Sequence, residues 1–184
     1  MKRPHGGLPD IILFIAVLAL LSIGIVMVFS SSSVTAYQEM GDAYYYLKRQ
    51  SMWAAIGMAA LVVCMNIDYH VWEHLAGVVM ILCIGALALV LVPGVGHLVA
   101  GSRRWIGFGS FRVQPSEFTK LGLVIYLASY YAKAAGAVKS FVKGTVVPLG
   151  IAGLCAMLVL LEPDLGTAID VLGIAWLVMM IAGV

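Results

Sequence analysis

Ile11-Ile-Leu-Phe-Ile-Ala-Val-Leu-Ala-Leu-Leu-Ser-Ile-Gly-Ile-Val-Met-Val-Phe29 is a run of 19 residues without a charge. A helix rises about 1.5 Å per residue and the hydrocarbon core of a bilayer is about 30 Å thick, so the run is long enough to span it. Its flanks raise a second reading, because Met1 to His5 is basic and Val34-Thr35-Ala36 resembles a signal-peptidase site. A signal peptide's apolar region is only about 7–15 residues long, however, so the run predicts a retained membrane helix.

The rest of the chain has the same chemistry. It is 62% apolar and 11% charged, with a mean hydropathy of +1.04, whereas a soluble domain is about 45–50% apolar and about 25% charged. A larger core cannot account for the gap, since polar residues must still cover a soluble surface. The composition implies an all-α polytopic membrane protein. The net charge of +2 comes without a basic run, zinc-ligand spacing or basic-aromatic repeat, so nothing points to nucleic acid. Cys64, Cys83 and Cys155 lie singly in apolar runs, where thiols behave as small hydrophobes and define no disulfide frame.

Apolar runs predict about six transmembrane helices in a single membrane domain over 1–184, at roughly 11–29, 51–67, 75–95, 115–131, 144–161 and 168–184. Ser30 to Gln50 reads as a polar loop, with Tyr44, Tyr45 and Tyr46 at the membrane interface. Asn66 to His74 reads as a short connection anchored by Trp72, and Pro93-Gly94 as the breaker of the third helix. The sequence stops inside an apolar run, which predicts an N-terminal fragment. With a cytoplasmic N-terminus, the inner segments hold Lys2, Arg3, Lys133, Lys139 and Lys143. The outer ones hold Lys48, Arg49, Arg103, Arg104, Arg112 and Lys120. The positive-inside rule does not decide between orientations, and an excess of outer cations needs another reason, such as substrate binding.

The polar chemistry concentrates between Gly101 and Lys120. Trp105-Ile-Gly-Phe-Gly-Ser-Phe111 sets bulky residues around two glycines, which suits a tight hairpin on the membrane surface. Such a hairpin would bring Arg104 and Arg112 together to grip phosphate or carboxylate, or leave them snorkelling to headgroups. Gln114-Pro115-Ser116-Glu117 reads as a helix start, with proline at the first position and an acid in the first turn. Lys120 lies at i+3 from Glu117 and i+4 from Ser116, predicting a Glu117–Lys120 pair that faces the bundle interior. A second cluster holds Glu162, Asp164 and Asp170. Asp164 or Thr167 can cap the sixth helix, whereas Asp170 sits in an apolar run, where carboxylates face polar interiors. Two helices separate the clusters, so parity puts them on one face, around one possible cavity. His5, His70, His74 and His97 show no metal-ligand pattern, and no nucleophile elbow, Walker loop or dinucleotide fingerprint is present.

Gly101-Ser-Arg-Arg-Trp-Ile106, Phe111-Arg-Val-Gln-Pro-Ser-Glu-Phe-Thr-Lys120 and Glu162-Pro-Asp-Leu-Gly-Thr-Ala168 together resemble the SEDS family (shape, elongation, division and sporulation; FtsW, RodA and SpoVE). The Ser-rich end of the first helix and Lys48-Arg49-Gln50 fit as well, and the division and sporulation branch is the nearer one. The resemblance covers the N-terminal half of a roughly ten-helix inner-membrane fold. It implies a peptidoglycan glycosyltransferase that polymerises lipid II, the undecaprenyl-diphosphate-linked disaccharide-peptide. Arg112, Glu117 and Lys120 would then line a central cavity, with Gln114 and Ser116 beside them. Arg103 and Arg104 would hold the diphosphate as it leaves. The family's proposed catalytic aspartate lies in a loop beyond Val184, so residues 1–184 alone are expected to be inactive. No cofactor is evident, although a divalent cation is compatible with a diphosphate leaving group. The implied partners are membrane lipid and a class B penicillin-binding transpeptidase. A lipid II flippase and a scaffold recruiting that transpeptidase are the alternatives.

Overall fold

A computed structural model of the chain describes residues 10–99, 102–108, 111–133, 136, 138 and 140–184. They form long helices and one small sheet, arranged as two compact units, 1–68 and 69–184.

The first unit is a pair of packed helices, α1 (Ile11–Met40) and α2 (Tyr45–Met65). Asp10 starts α1 by accepting the amides of Ile12 and Leu13 at 3.0 and 3.1 Å. The helix does not end at Phe29 as its apolar run suggests. The hydroxyls of Ser31 and Ser32 donate back to the Val28 carbonyl, so these polar groups are spent inside the helix. It stops at Gly41, whose φ of +71° is left-handed. Asp42 then accepts the Tyr44 amide and the Lys48 ammonium at 2.9 and 2.8 Å. Lys48, followed by that amide, holds the Asp42 carboxyl below its ordinary range. The expected loop 30–50 thus shrinks to four residues, and Tyr44 stacks on Phe29 with centroids 5.4 Å apart. Apart from Ala36, neither helix buries a residue, and their exposed isoleucines, leucines and valines suit lipid.

The second unit holds α3 (Tyr69–Val90), α4 (Pro115–Lys133), α5 (Val147–Leu161) and α6 (Leu165–Ala182). The third helix begins and ends earlier than its apolar run. Pro93 has no N–H to continue it and disfavours helix in the residue before, so Val90 is the last. Leu87, Leu123, Leu127, Val159 and Val171 are fully buried where these helices meet. At the α3–α4 contact a Cβ on Gly122 would lie 2.8 Å from Cys83 Sγ and 3.4 Å from Val79 Cγ1, so glycine sets the approach. Gly122→Leu is therefore expected to destabilise the protein by about 1–3 kcal/mol. Thermal unfolding in detergent checks this, with Cys83→Ala restoring part of the loss; an unchanged midpoint would deny the close approach.

Between α4 and α5 a π-helical turn occupies Val142–Val146. Pro148 cannot donate to the Gly144 carbonyl, and the Val147 amide reaches past Lys143 to Val142. The two carbonyls left over accept from α4 instead: Tyr130 Oη donates to Lys143 at 2.8 Å and Tyr131 Oη to Gly144 at 2.5 Å. At the same end of α4, Ser129 and Lys133 both donate to the Glu73 carbonyl of α3 at 3.1 Å.

Among the described residues, four helices are long and apolar enough to cross a membrane: α1, α3, the continuous segment Val142–Leu161, and α6. The others, α2 and α4, have 21 and 19 residues but carry Lys48 and Arg49, or Glu117, Lys120 and Lys133. The architecture is that of a helical, multi-pass membrane protein.

The small sheet joins α3 to α4. Its strands β1 (His97–Val99), β2 (Ser102–Phe108) and β3 (Phe111–Val113) are antiparallel in that order. The expected hairpin is β2–β3, but its register does not bring Arg104 to Arg112. Arg112 pairs with Gly107, and Arg104, three residues back along β2, falls on the opposite face.

Candidate functional site

The turn joining α5 to α6 is where the polar residues of the second unit converge. Asp164 is the N-cap of α6, with Oδ1 accepting the Thr167 amide at 3.1 Å. Its other oxygen, Oδ2, accepts from Arg104 Nη1 at 3.0 Å and Gln114 Nε2 at 3.4 Å. Arg104 spreads its remaining donors over two more acceptors: Nε reaches Ser102 Oγ at 2.6 Å, and Nη2 reaches the Pro163 carbonyl at 3.4 Å. Ser102 passes the chain on by donating to the Glu162 carbonyl. Gln114 also donates to Ser116 Oγ at 3.0 Å, at the buried start of α4. One aspartate thus ties together β2, the start of α4 and the start of α6.

The electrostatics follow from that arrangement. Burial pushes the Asp164 carboxyl up, but the Thr167 amide and hydroxyl and the Arg104 guanidinium outweigh it and hold the group below its ordinary range. Glu162 goes the other way. It is fully buried, and neither carboxyl oxygen has a hydrogen-bond partner among the described residues. Burial, then the neighbouring charge of Asp164, raise its pKa from 4.5 to about 7 against the opposing pull of Arg104.

One turn along α4, Lys120 Nζ pairs with Glu117 Oε1 at 2.9 Å and lies 3.9 Å from Asp170 Oδ2 on α6. The spacing Glu117–Lys120 predicts is present, but its setting differs. The Glu117 side chain is 54% exposed and that of Lys120 22%, so the pair sits at the rim of the bundle. A helix start leaves its first turn uncovered by neighbours, and Glu117 belongs to that turn.

Of the other expected residues, Arg103 takes its place in β2 opposite Leu98, its side chain outside the described set. Arg112 is exposed on β3. Asp170 is exposed, and Glu162 is fully buried. Ser102 and Thr167 are further participants. The two-residue strand period, which puts Ser102 on the same face as Arg104, is the signal that could have found the first. Among the described residues no three His, Cys, Asp or Glu side chains gather to hold a metal ion.

Comparison with known proteins gives this geometry a context. The family model described as "Cell cycle protein", covering FtsW, RodA and SpoVE, matches residues 11–184. Stage V sporulation protein E of Bacillus subtilis is 40% identical over 175 residues, 95% of this chain and 48% of that protein. A probable peptidoglycan glycosyltransferase FtsW of Geobacter metallireducens is 37% identical over 174 residues, again 95% of this chain but 46% of the relative. The crystal structure of the rod shape determining protein RodA of Thermus thermophilus superposes with a TM-score of 0.69 at 28% identity, covering 89% of this chain and 53% of that one. The chain therefore spans about half the length of the curated relatives it matches.

Proposed function

Because the chain belongs to the FtsW, RodA and SpoVE family, we propose that it carries the cation-bearing half of a site that polymerises lipid II into peptidoglycan glycan strands. The observation that carries this reading is the Arg104–Asp164 junction, with Lys120 further along α4 and paired with Glu117. Arg104 is a cation held in place yet one-third exposed, at the end of a helical bundle. Glycosyl transfer from lipid II releases a lipid diphosphate, and preorganised cations stabilise the charge that develops on it. Arg104 meets the diphosphate by sharing its donors between Asp164 and a phosphate oxygen, while Lys120 supplies a second positive charge. Gln114, Ser116 and Glu117 orient that face of α4, Arg103 and Arg112 supply further cations from the sheet, and Asp164 and Asp170 hold Arg104 and Lys120 in register.

In this reading the protein lies in a bacterial inner membrane with its N-terminus cytoplasmic and its Arg104 end outside. It works beside a class B transpeptidase that crosslinks the product. The test is reconstitution of the full-length product of the gene that encodes residues 1–184, rather than of those residues alone, in vesicles supplied with lipid II. Glycan strands are expected, and Lys120→Ala is expected to slow their synthesis about 10²-fold with unchanged membrane insertion, the cost typical of losing one preorganised charge-stabilising group. Full activity in Lys120→Ala would remove that residue from the site. Movement of lipid II across the membrane without glycan product would replace the polymerase with a transporter.

A further inference from the structure

Glu162 ends α5 where the chain turns towards α6. Its backbone is engaged, with the carbonyl accepting from Ser102 and the amide donating to Val159 at 3.0 Å. Its side chain is not: the carboxyl is fully buried, and both oxygens lack a partner among the described residues. A carboxylate there would lose its hydration with nothing in return, and groups so placed keep a proton instead. Among the described side chains of the surrounding elements, two charged groups act on it. Asp164, at the start of α6, opposes a second negative charge, whereas Arg104, on β2, favours one. Glu117 and Lys120 of α4 and Asp170 of α6 engage one another further along those helices.

We propose that Glu162 is an uncharged acid in the resting protein and that loss of its proton weakens the hold of Arg104 on anionic ligands. While Glu162 is neutral, Arg104 answers to a single carboxylate, Asp164, and keeps positive charge to offer at the surface. Once Glu162 ionises, the guanidinium stands between two carboxylates and its charge is cancelled from within. The anion grip is then strongest on the acid side of the Glu162 titration and fades as pH rises through it. The second half of the proposal rests on Arg104 holding a diphosphate; the first half does not.

Infrared difference spectroscopy of the protein in lipid nanodiscs, titrated from about pH 5 to about pH 9 around the raised carboxyl, tests the first half. A protonated carboxylic acid band is expected at the acid end and lost with rising pH, and Glu162→Gln removes it at every pH. Arg104→Gln shifts its midpoint up and Asp164→Asn shifts it down, each by about 1 unit or more, as expected for charges at close range. Those two shifts also serve if Glu162→Gln folds poorly. A spectrum without the band at about pH 5, or a midpoint that neither variant moves, overturns the proposal. Inorganic pyrophosphate then probes the gate. Between the acid and alkaline ends its affinity for the parent should fall about tenfold relative to Glu162→Gln, the equivalent of one unit of coupling. Equal pH dependence in the two proteins overturns the gate. No pyrophosphate binding at any pH, with the band behaving as expected, overturns the diphosphate role of Arg104 while the neutral acid stands.

Discussion

Asp164→Ala unfolds about 3 kcal/mol more easily than the parent, the scale expected when one partner of a largely buried ion pair and a helix cap are lost together. The alanine leaves Arg104 Nη1 and Gln114 Nε2 without their shared acceptor and the Thr167 amide without its cap. Asp164→Asn separates the two losses. Asparagine caps a helix about as well as aspartate, so it should recover about 1 kcal/mol of the deficit while still failing Arg104 electrostatically. Denaturant unfolding in micelles measures both, and hydrogen exchange in the first turn of α6 reports the cap alone. An alanine variant as stable as the parent would mean that the junction holds nothing together.

The same junction gives stability a pH profile with a worked sign. Asp164 has its pKa lowered, so its contribution is complete above the ordinary aspartate range and is lost as pH falls below it. Glu162 has its pKa raised from 4.5 to about 7, so its contribution is complete below 4.5 and is lost as pH rises through about 7. The two together make the α5–α6 turn firmest in mild acid, and Glu162→Gln should flatten only the alkaline side.

If Arg104 serves the polymerase proposed above, Arg104→Lys in the full-length protein should lose nearly as much glycan synthesis as Arg104→Ala, about 10²-fold or more, although it keeps the charge. Three nitrogens of Arg104 reach three acceptors on two chain segments: the Ser102 hydroxyl, the Asp164 carboxylate and the Pro163 carbonyl. An ammonium is one atom, and it cannot span that spread while also presenting donors to a phosphate oxygen. Initial rates of lipid II polymerisation, measured beside a check of membrane insertion, decide the matter. A lysine variant near parental activity would show that a point charge suffices and that the fork is dispensable.

What was legible in the sequence was local. The apolar runs marked the helices, the Trp105–Phe111 stretch marked a hairpin, and the three-residue step from Glu117 to Lys120 marked an ion pair that forms. Asp164 was readable as a cap because capping is decided within three residues. The boundaries failed where side chains altered the backbone's needs: Ser31 and Ser32 carried α1 beyond its apolar run, and Pro148 put a π turn ahead of α5. The site's central contact was out of reach for a different reason. Arg104 and Asp164 are 60 residues apart, and no local pattern says which carboxylate an arginine will meet. Strand register also kept Arg112 from meeting Arg104, since an odd offset sends the two arginines to opposite faces. Burial of Glu162, beside an aspartate that is well served, depends on β2 closing over the turn through Ser102.

The tyrosines at the end of α4 bear on how the protein is made. Ribosomes deliver α4 before α5, and α5 arrives with two carbonyls at Lys143 and Gly144 that its own turns do not satisfy. Released alone into lipid, such groups would cost several kcal/mol each. With α4 already waiting, Tyr130 and Tyr131 meet them at once. The two segments should therefore leave the translocon as one hairpin, with the order of synthesis setting the order of assembly.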